Sequence, residues 1–207
     1  YIAAICGVGD TSNLTGGYFI TYPTAPNAPA GVTCTSAAPG VALSDDFEGA
    51  NNWTGDVGTG NGIWKIDANG TPSGGTGPDT AYSGVNYMYY EASVGGSDTA
   101  TLVSPAVDLT AGADAAELSF WMHAAGATVG TIEVGVGTSA TGPFTSVFTF
   151  SGNYQASPAD SWIPVGIDLT SYIGQTIYLG FTVYRLPITP PLTYSWSSDI
   201  AIDMVEV

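Results

Sequence analysis

Positive charge is nearly missing from this chain. Lys65 and Arg185 are its only Lys or Arg residues across 207 positions, against 18 carboxylates and a formal net charge of −16. Nucleic acid is thereby argued against as a partner, because neutralising phosphates takes clustered Lys and Arg. An anionic membrane surface is disfavoured on the same ground. Histidine occurs once, as His123, so any Ser-His-Asp or Cys-His arrangement would have to be built on it. Its neighbours Trp121 and Ala124 belong to a strand-like pattern, where a histidine is most simply a sheet residue. There is no HExxH, and the glycines form no phosphate cradle. No stretch approaches the eighteen or so apolar residues that a membrane-spanning helix needs.

Helical patterning is also scarce, and what remains is Gly, Ser, Thr, Asn and aromatic residues in short alternating runs. "ELSFWMH" sets Leu118, Phe120 and Met122 on one face. "TIEVGV" does the same with Ile132, Val134 and Val136, and "TIYLGFTVY" with Ile177, Leu179, Phe181 and Val183. Further strands are expected near 45–48, 63–67, 85–91, 99–103, 144–150, 162–168 and 199–207, separated by Gly/Pro/Ser/Thr turns. Short antiparallel strands at this spacing predict an all-β, two-sheet sandwich of jelly-roll type. Tyr87 and Tyr89 oppose Met88 and Tyr90 by strand parity, so one pair is expected inside and the other is open to exposure. Trp53, Trp64, Trp162 and Trp196 fall at strand ends or in loops, positions that serve core packing, sugar stacking or protein interfaces.

The N-terminal stretch differs. "YIAAICG" and "GGYFITYP" read as two strands joined by a polar turn and followed by the Pro/Ala linker "PTAPNAPAG". Tyr1 begins within a strand-like pattern, so the chain is expected to be a piece of something longer. In an oxidising compartment a Cys6–Cys34 bridge would close a loop of roughly 29 residues, worth about 3 kcal/mol on the chain-entropy estimate; two free thiols are the alternative.

Two resemblances rest on these residues. "AICGVGDTSNLTGGYFIT" resembles the last two strands of the fibronectin type III modules of secreted Bacteroidetes proteins, in which a Cys on the penultimate strand often has a partner just beyond the final one. That resemblance implies the Cys6–Cys34 pairing and a boundary: residues 1–34 as the end of a preceding module, 45–207 as the main domain. Over that second region "DDFEG", "TGPDTAYSGVNYMYYEAS", "TLVSPAVDL", "LSFWMHAAGATVGTIEVGV" and "SDIAIDMVEV" resemble, in order and spacing, the MAM domain, an extracellular jelly-roll adhesion module, and the related adhesin domains of secreted bacterial proteases. Animal MAM domains carry cysteines here and this chain has none, so its body must rest on core packing.

Some of the carboxylates fit a metal. Strand parity sends Asp46 and Glu48 away from Phe47, and Asp199 and Asp203 away from Ile200 and Ile202. A jelly roll lays its first and last strands side by side, which would bring Glu48 near Asp203. Residues 68–84 form a long loop of little apolar content, of a length that calls for a function or a tether. Asp79 resembles the Asp of the corresponding MAM loop, which implies a Ca²⁺ shared by Glu48, Asp79 and Asp203, with Asp46 or Asp199 as further candidates. The alternative is that Asp79 supports a turn after Pro78. "DIAID" is also similar to the Glu-x-Asp-x-Glu strand of some jelly-roll glucanases, but Ala201 stands at the central carboxylate and both ends are Asp, which argues against glycosidase chemistry.

The expectation is therefore a non-catalytic, calcium-stabilised adhesion or interaction module of a large secreted or surface-anchored bacterial protein. Its partner would be a protein or glycan on a surface, or neighbouring domains of the same protein. A carbohydrate-binding accessory domain of a secreted hydrolase and a structural subunit of a surface filament are the competing readings.

Overall fold

The computed structural model describes residues 40–93, 96–111, 113–186 and 197–207. The two expected N-terminal strands, the linker, the Cys6–Cys34 pair and Trp196 lie outside the described residues.

Two antiparallel six-stranded sheets pack face to face as a jelly-roll sandwich. The first runs β10 (Ile163–Asp168), β7 (Glu117–His123), β12 (Ile200–Glu206), β4 (Asn86–Tyr90) and β3 (Trp64–Ala68), with β1 (Ser44–Asp45) alongside β12. The second runs β2 (Thr54–Gly55), β5 (Thr99–Val103), β11 (Thr176–Tyr184), β8 (Thr131–Gly137) and β9 (Thr145–Ser151), with β6 (Val107–Asp108) alongside β11. One 3-10 turn, Thr170–Tyr172, precedes β11.

Alternation explains the filling. Leu118, Phe120 and Met122 from β7 meet Ile132 and Val134 from β8 and Leu179, Phe181 and Val183 from β11 in one core, all 0–1% exposed. Phe120 packs edge-on against Phe181 with ring centroids 5.3 Å apart, a favoured aromatic geometry. Burying each such side chain contributes about 1.5–3 kcal/mol.

Two expectations need correction. The first strand stops at Asp45 rather than Glu48, because the Asp45 carboxylate accepts the Phe47 N–H at 2.8 Å and Phe47 adopts φ 58°. This Asx turn still delivers Phe47 to the core and leaves Glu48 exposed. Second, both faces of β4 are buried. Met88 and Tyr90 join the central core, whereas Tyr87 and Tyr89 form a second small core with Trp162 and Ala201 on the outer face of the first sheet. The loops 69–85 and 155–162 roof that face. The short strands β2 and β6 were not expected, and they carry no periodic signal of their own.

Candidate binding site

The roofed outer face is where the chain's chemistry collects. On β7, Trp121 and His123 point away from the central core, opposite Phe120 and Met122. Across the ladder Trp121 pairs with Asp203, and His123 with Ala201. Asp203 is fully buried, yet its carboxylate is fully used: Oδ2 accepts the N–H groups of Tyr82 and Ser83 at 2.9 and 3.1 Å, and Oδ1 accepts that of Met204 at 2.7 Å. Met204 has φ 51° at an irregularity in the ladder, which turns its N–H back onto Asp203. Burial pushes the Asp203 carboxyl up to about 6, against the pull of those three donors, with the Glu48 charge adding to the rise.

Holding the Tyr82 N–H sets the ring above it. Tyr82 lies flat on Trp121 with centroids 3.7 Å apart and an interplanar angle of 13°, and it remains 43% exposed. Beside this stack opens a cleft of about 310 Å³. Residues 79–82 line one wall and 158–162 the other, with Trp121 between them.

The walls are tied together. The Asp79 N–H donates to the Pro158 carbonyl at 3.0 Å, and the Trp162 indole N–H to the Thr80 carbonyl at 3.1 Å. Trp162 packs edge-on against Tyr87 and His123. Behind it, buried Gln155 accepts the Ala124 N–H at 2.8 Å and donates to the Ser161 carbonyl at 3.1 Å. Asp160 closes its own turn by accepting the Ala156 and Ser157 N–H groups at 2.9 and 3.0 Å. His123 Nε2 lies 3.2 Å from the Asp160 carbonyl, and burial lowers its pKa, so it is a neutral imidazole donating through Nε2. It is thus a buried sheet residue bracing the 155–162 loop.

The three carboxylates expected to share Ca²⁺ are not gathered into one ligand set. Glu48 and Asp203 both reach the 82–86 turn, but Glu48 Oε1 is taken by the Val85 and Asn86 N–H groups at 2.7 and 2.6 Å, and Oε2 by the Asn86 side-chain amide at 3.1 Å. Asp79 lines the cleft instead. Among the described residues no three His, Cys, Asp or Glu side chains group to hold a metal. This arrangement does not fit a shared ion: five N–H donors of the 82–86 turn tie it to Glu48 and Asp203, the pinning assigned to the cation. Asp46 accepts the Glu48 N–H at 3.1 Å and so belongs to the Asx turn. Asp199 is fully buried, accepts the Ala92 N–H at 2.9 Å through Oδ1, and leaves Oδ2 without a partner.

Of the cleft, the sequence pointed to Asp79 as a metal ligand and to Trp162 among the tryptophans open to packing, stacking or an interface. Trp121 could have been found, since its parity faces it away from the core strand partners. Tyr82 and Asp160 sit in loops with no period to betray them.

An all-β sandwich with an aromatic cleft on one outer face is the class that geometry defines. The chain belongs to the MAM domain family (meprin/A5/mu), whose pattern matches residues 46–189. Among solved structures it is similar to the K2 cleaved adhesin domain of Lys-gingipain, at 21% identity over 79% of this chain and 96% of that one, with a TM-score of 0.54. It also aligns with the K3 cleaved adhesin domain of Lys-gingipain from Porphyromonas gingivalis w83, at 15% identity over 81% and 98% of the two chains and a TM-score of 0.44. The likeness to the K2 domain concerns the fold. No curated protein sequence matches the chain. Among the described residues no helix is long and apolar enough to cross a membrane.

Proposed function

We propose that this chain is a non-catalytic adhesion or interaction module of a secreted or surface-anchored bacterial protein, and that it meets its partner through the cleft beside Tyr82 and Trp121. One observation carries the reading: an aromatic stack is held in the open by a buried carboxylate on a rigid sheet. Exposed, pre-positioned aromatics of this kind anchor interfaces at low conformational cost. Membership of an extracellular adhesion family supports it, as does the adhesin domain that shares the fold. His123, on which a Ser-His-Asp or Cys-His arrangement would have to be built, has its Nε2 on the Asp160 carbonyl. Residues 1–34 are proposed to end a preceding fibronectin type III-like module, bridged by Cys6 and Cys34.

The test is adhesion. The immobilised chain should retain its partner from a surface-protein or glycan display, and Tyr82→Ser should abolish retention while leaving the far-ultraviolet circular dichroism unchanged. Full retention by Tyr82→Ser and by Trp121→Thr would remove the cleft from the function.

A further inference from the structure

The cleft carries uncompensated negative charge. Asp79 and Asp160 are both exposed on its opposite walls. Among the described residues no hydrogen bond or ion pair reaches the Asp79 carboxylate, and the bonds that Asp160 accepts through its side chain fall on Oδ2 alone. Among the described residues the Lys and Arg side chains are engaged elsewhere. Lys65 is paired with Glu91 at 3.5 Å, and Arg185, 6% exposed, donates to the Ser93 carbonyl. Burial favours the neutral form of His123 behind the wall. Against this charge stands a flat ring, Tyr82, backed by Trp121.

We infer that the cleft takes a positively charged side chain, arginine foremost, presented by an exposed segment of a basic protein partner; this rests on the cleft being the module's contact site. A guanidinium is planar and weakly hydrated. It lies on an aromatic face while its N–H fork meets a carboxylate, whereas an ammonium makes only the point-charge part of that contact. The net charge of −16 draws cations toward the surface and speeds their encounter. An anionic sugar would be repelled. A neutral sugar ring would use the stack and leave both carboxylates uncompensated. A hard cation lacks its ligand set, since among the described residues no three metal-binding side chains meet.

The experiment is an NMR titration of the full chain with blocked Gly-Arg-Gly, Gly-Lys-Gly and Gly-citrulline-Gly peptides and with a neutral galacto-oligosaccharide. The shifts of the Thr80–Tyr82 and Asp160–Trp162 amides are followed. The arginine peptide should shift them saturably, with the lysine peptide several-fold weaker and its neutral isostere citrulline at least tenfold weaker. Asp79→Asn/Asp160→Asn and Tyr82→Ser should each weaken arginine binding at least tenfold. Asp114→Asn/Glu117→Gln, an equal change in net charge away from the cleft, should weaken it less than twofold. Equal binding of citrulline and arginine, or equal loss in the control pair, would overturn the cation site. Cleft shifts produced by the oligosaccharide alone would overturn it too, yet keep the cleft as the contact surface. Cleft shifts with none of the probes would remove both.

Discussion

Asp203 and Trp121 face each other across the β12–β7 ladder, and the carboxylate of the first holds the N–H of the residue whose ring covers the second. A buried acid thus sets the height of an exposed aromatic. Asp203→Ala would strand three N–H groups at a cost of about 1–3 kcal/mol each at most, and would free Tyr82 from Trp121. Asp203→Asn keeps an acceptor and should cost less. Denaturant melts give the first effect; the Trp121 indole resonance gives the second. An unmoved indole signal in Asp203→Ala would dissociate the stack from its proposed anchor.

Glu48 occupies the space a β-carbon on Gly84 would need. Such a carbon would lie 2.5 Å from Glu48 Oε1, and Gly84 has φ 67°. Gly84→Ala is therefore expected to destabilise by about 1–3 kcal/mol through backbone strain and displacement of Glu48, measured by chemical denaturation. Because three N–H donors each already engage Glu48 and Asp203, EDTA should leave the melting temperature unchanged. A fall of several degrees, reversed by Ca²⁺ and absent in Glu48→Gln, would show that the turn opens to admit an ion.

Stability should fall as pH rises from about 4 to 7. Burial pushes Asp199 up to about 7, opposed by the Ala92 N–H and Lys65 and helped by the neighbouring Glu91 charge; Asp203 is pushed up to about 6. Between the unfolded carboxyl value of about 4 and these folded values, the native state holds more protons than the unfolded one. Unfolding free energy therefore decreases with pH across that window, by no more than about 1.4 kcal/mol per pH unit per group. Glu91 acts in the opposite sense below it: burial works against its ionisation, but Ser93, Tyr89 and Lys65 together hold it low, so its contribution is lost in stronger acid. Asp199→Asn should flatten the profile above about pH 5 and raise the melting temperature at about pH 8. A wild-type stability curve that climbs over the same interval would contradict the buried, protonated Asp199.

Peptide mapping without reduction should recover Cys6 linked to Cys34. Two alkylatable thiols in freshly purified, air-exposed protein would instead separate the N-terminal segment from its fibronectin type III-like reading.

Strand parity carried most of the sandwich, because Leu118, Phe120 and Met122, like Ile177, Leu179, Phe181 and Val183, fall at every second position and are buried. It failed at Phe47, where a side-chain turn replaces the strand, and at Tyr87 and Tyr89, whose outward face is roofed by loops that periodicity cannot see. The pairing of β1 with β12 followed from the jelly-roll order, and it does bring Glu48 and Asp203 onto one turn. What they hold there, amide protons, depends on backbone orientation within 82–86, which no side-chain pattern encodes. Asp79 was marked for its loop, yet its place opposite Asp160 comes from a main-chain bond to Pro158.

The register of β1 against β12 also has a mechanical side. Ala42 and Leu43 exchange main-chain hydrogen bonds with Val207, so residues 42–43 and 207 lie side by side at one end of β12. Tension applied through Val41 and Val207 would peel this antiparallel pair open one rung at a time instead of shearing all its rungs together. β1 would yield first, and the Tyr82–Trp121 face would bear load only after Asp203, on the strand being peeled, begins to move.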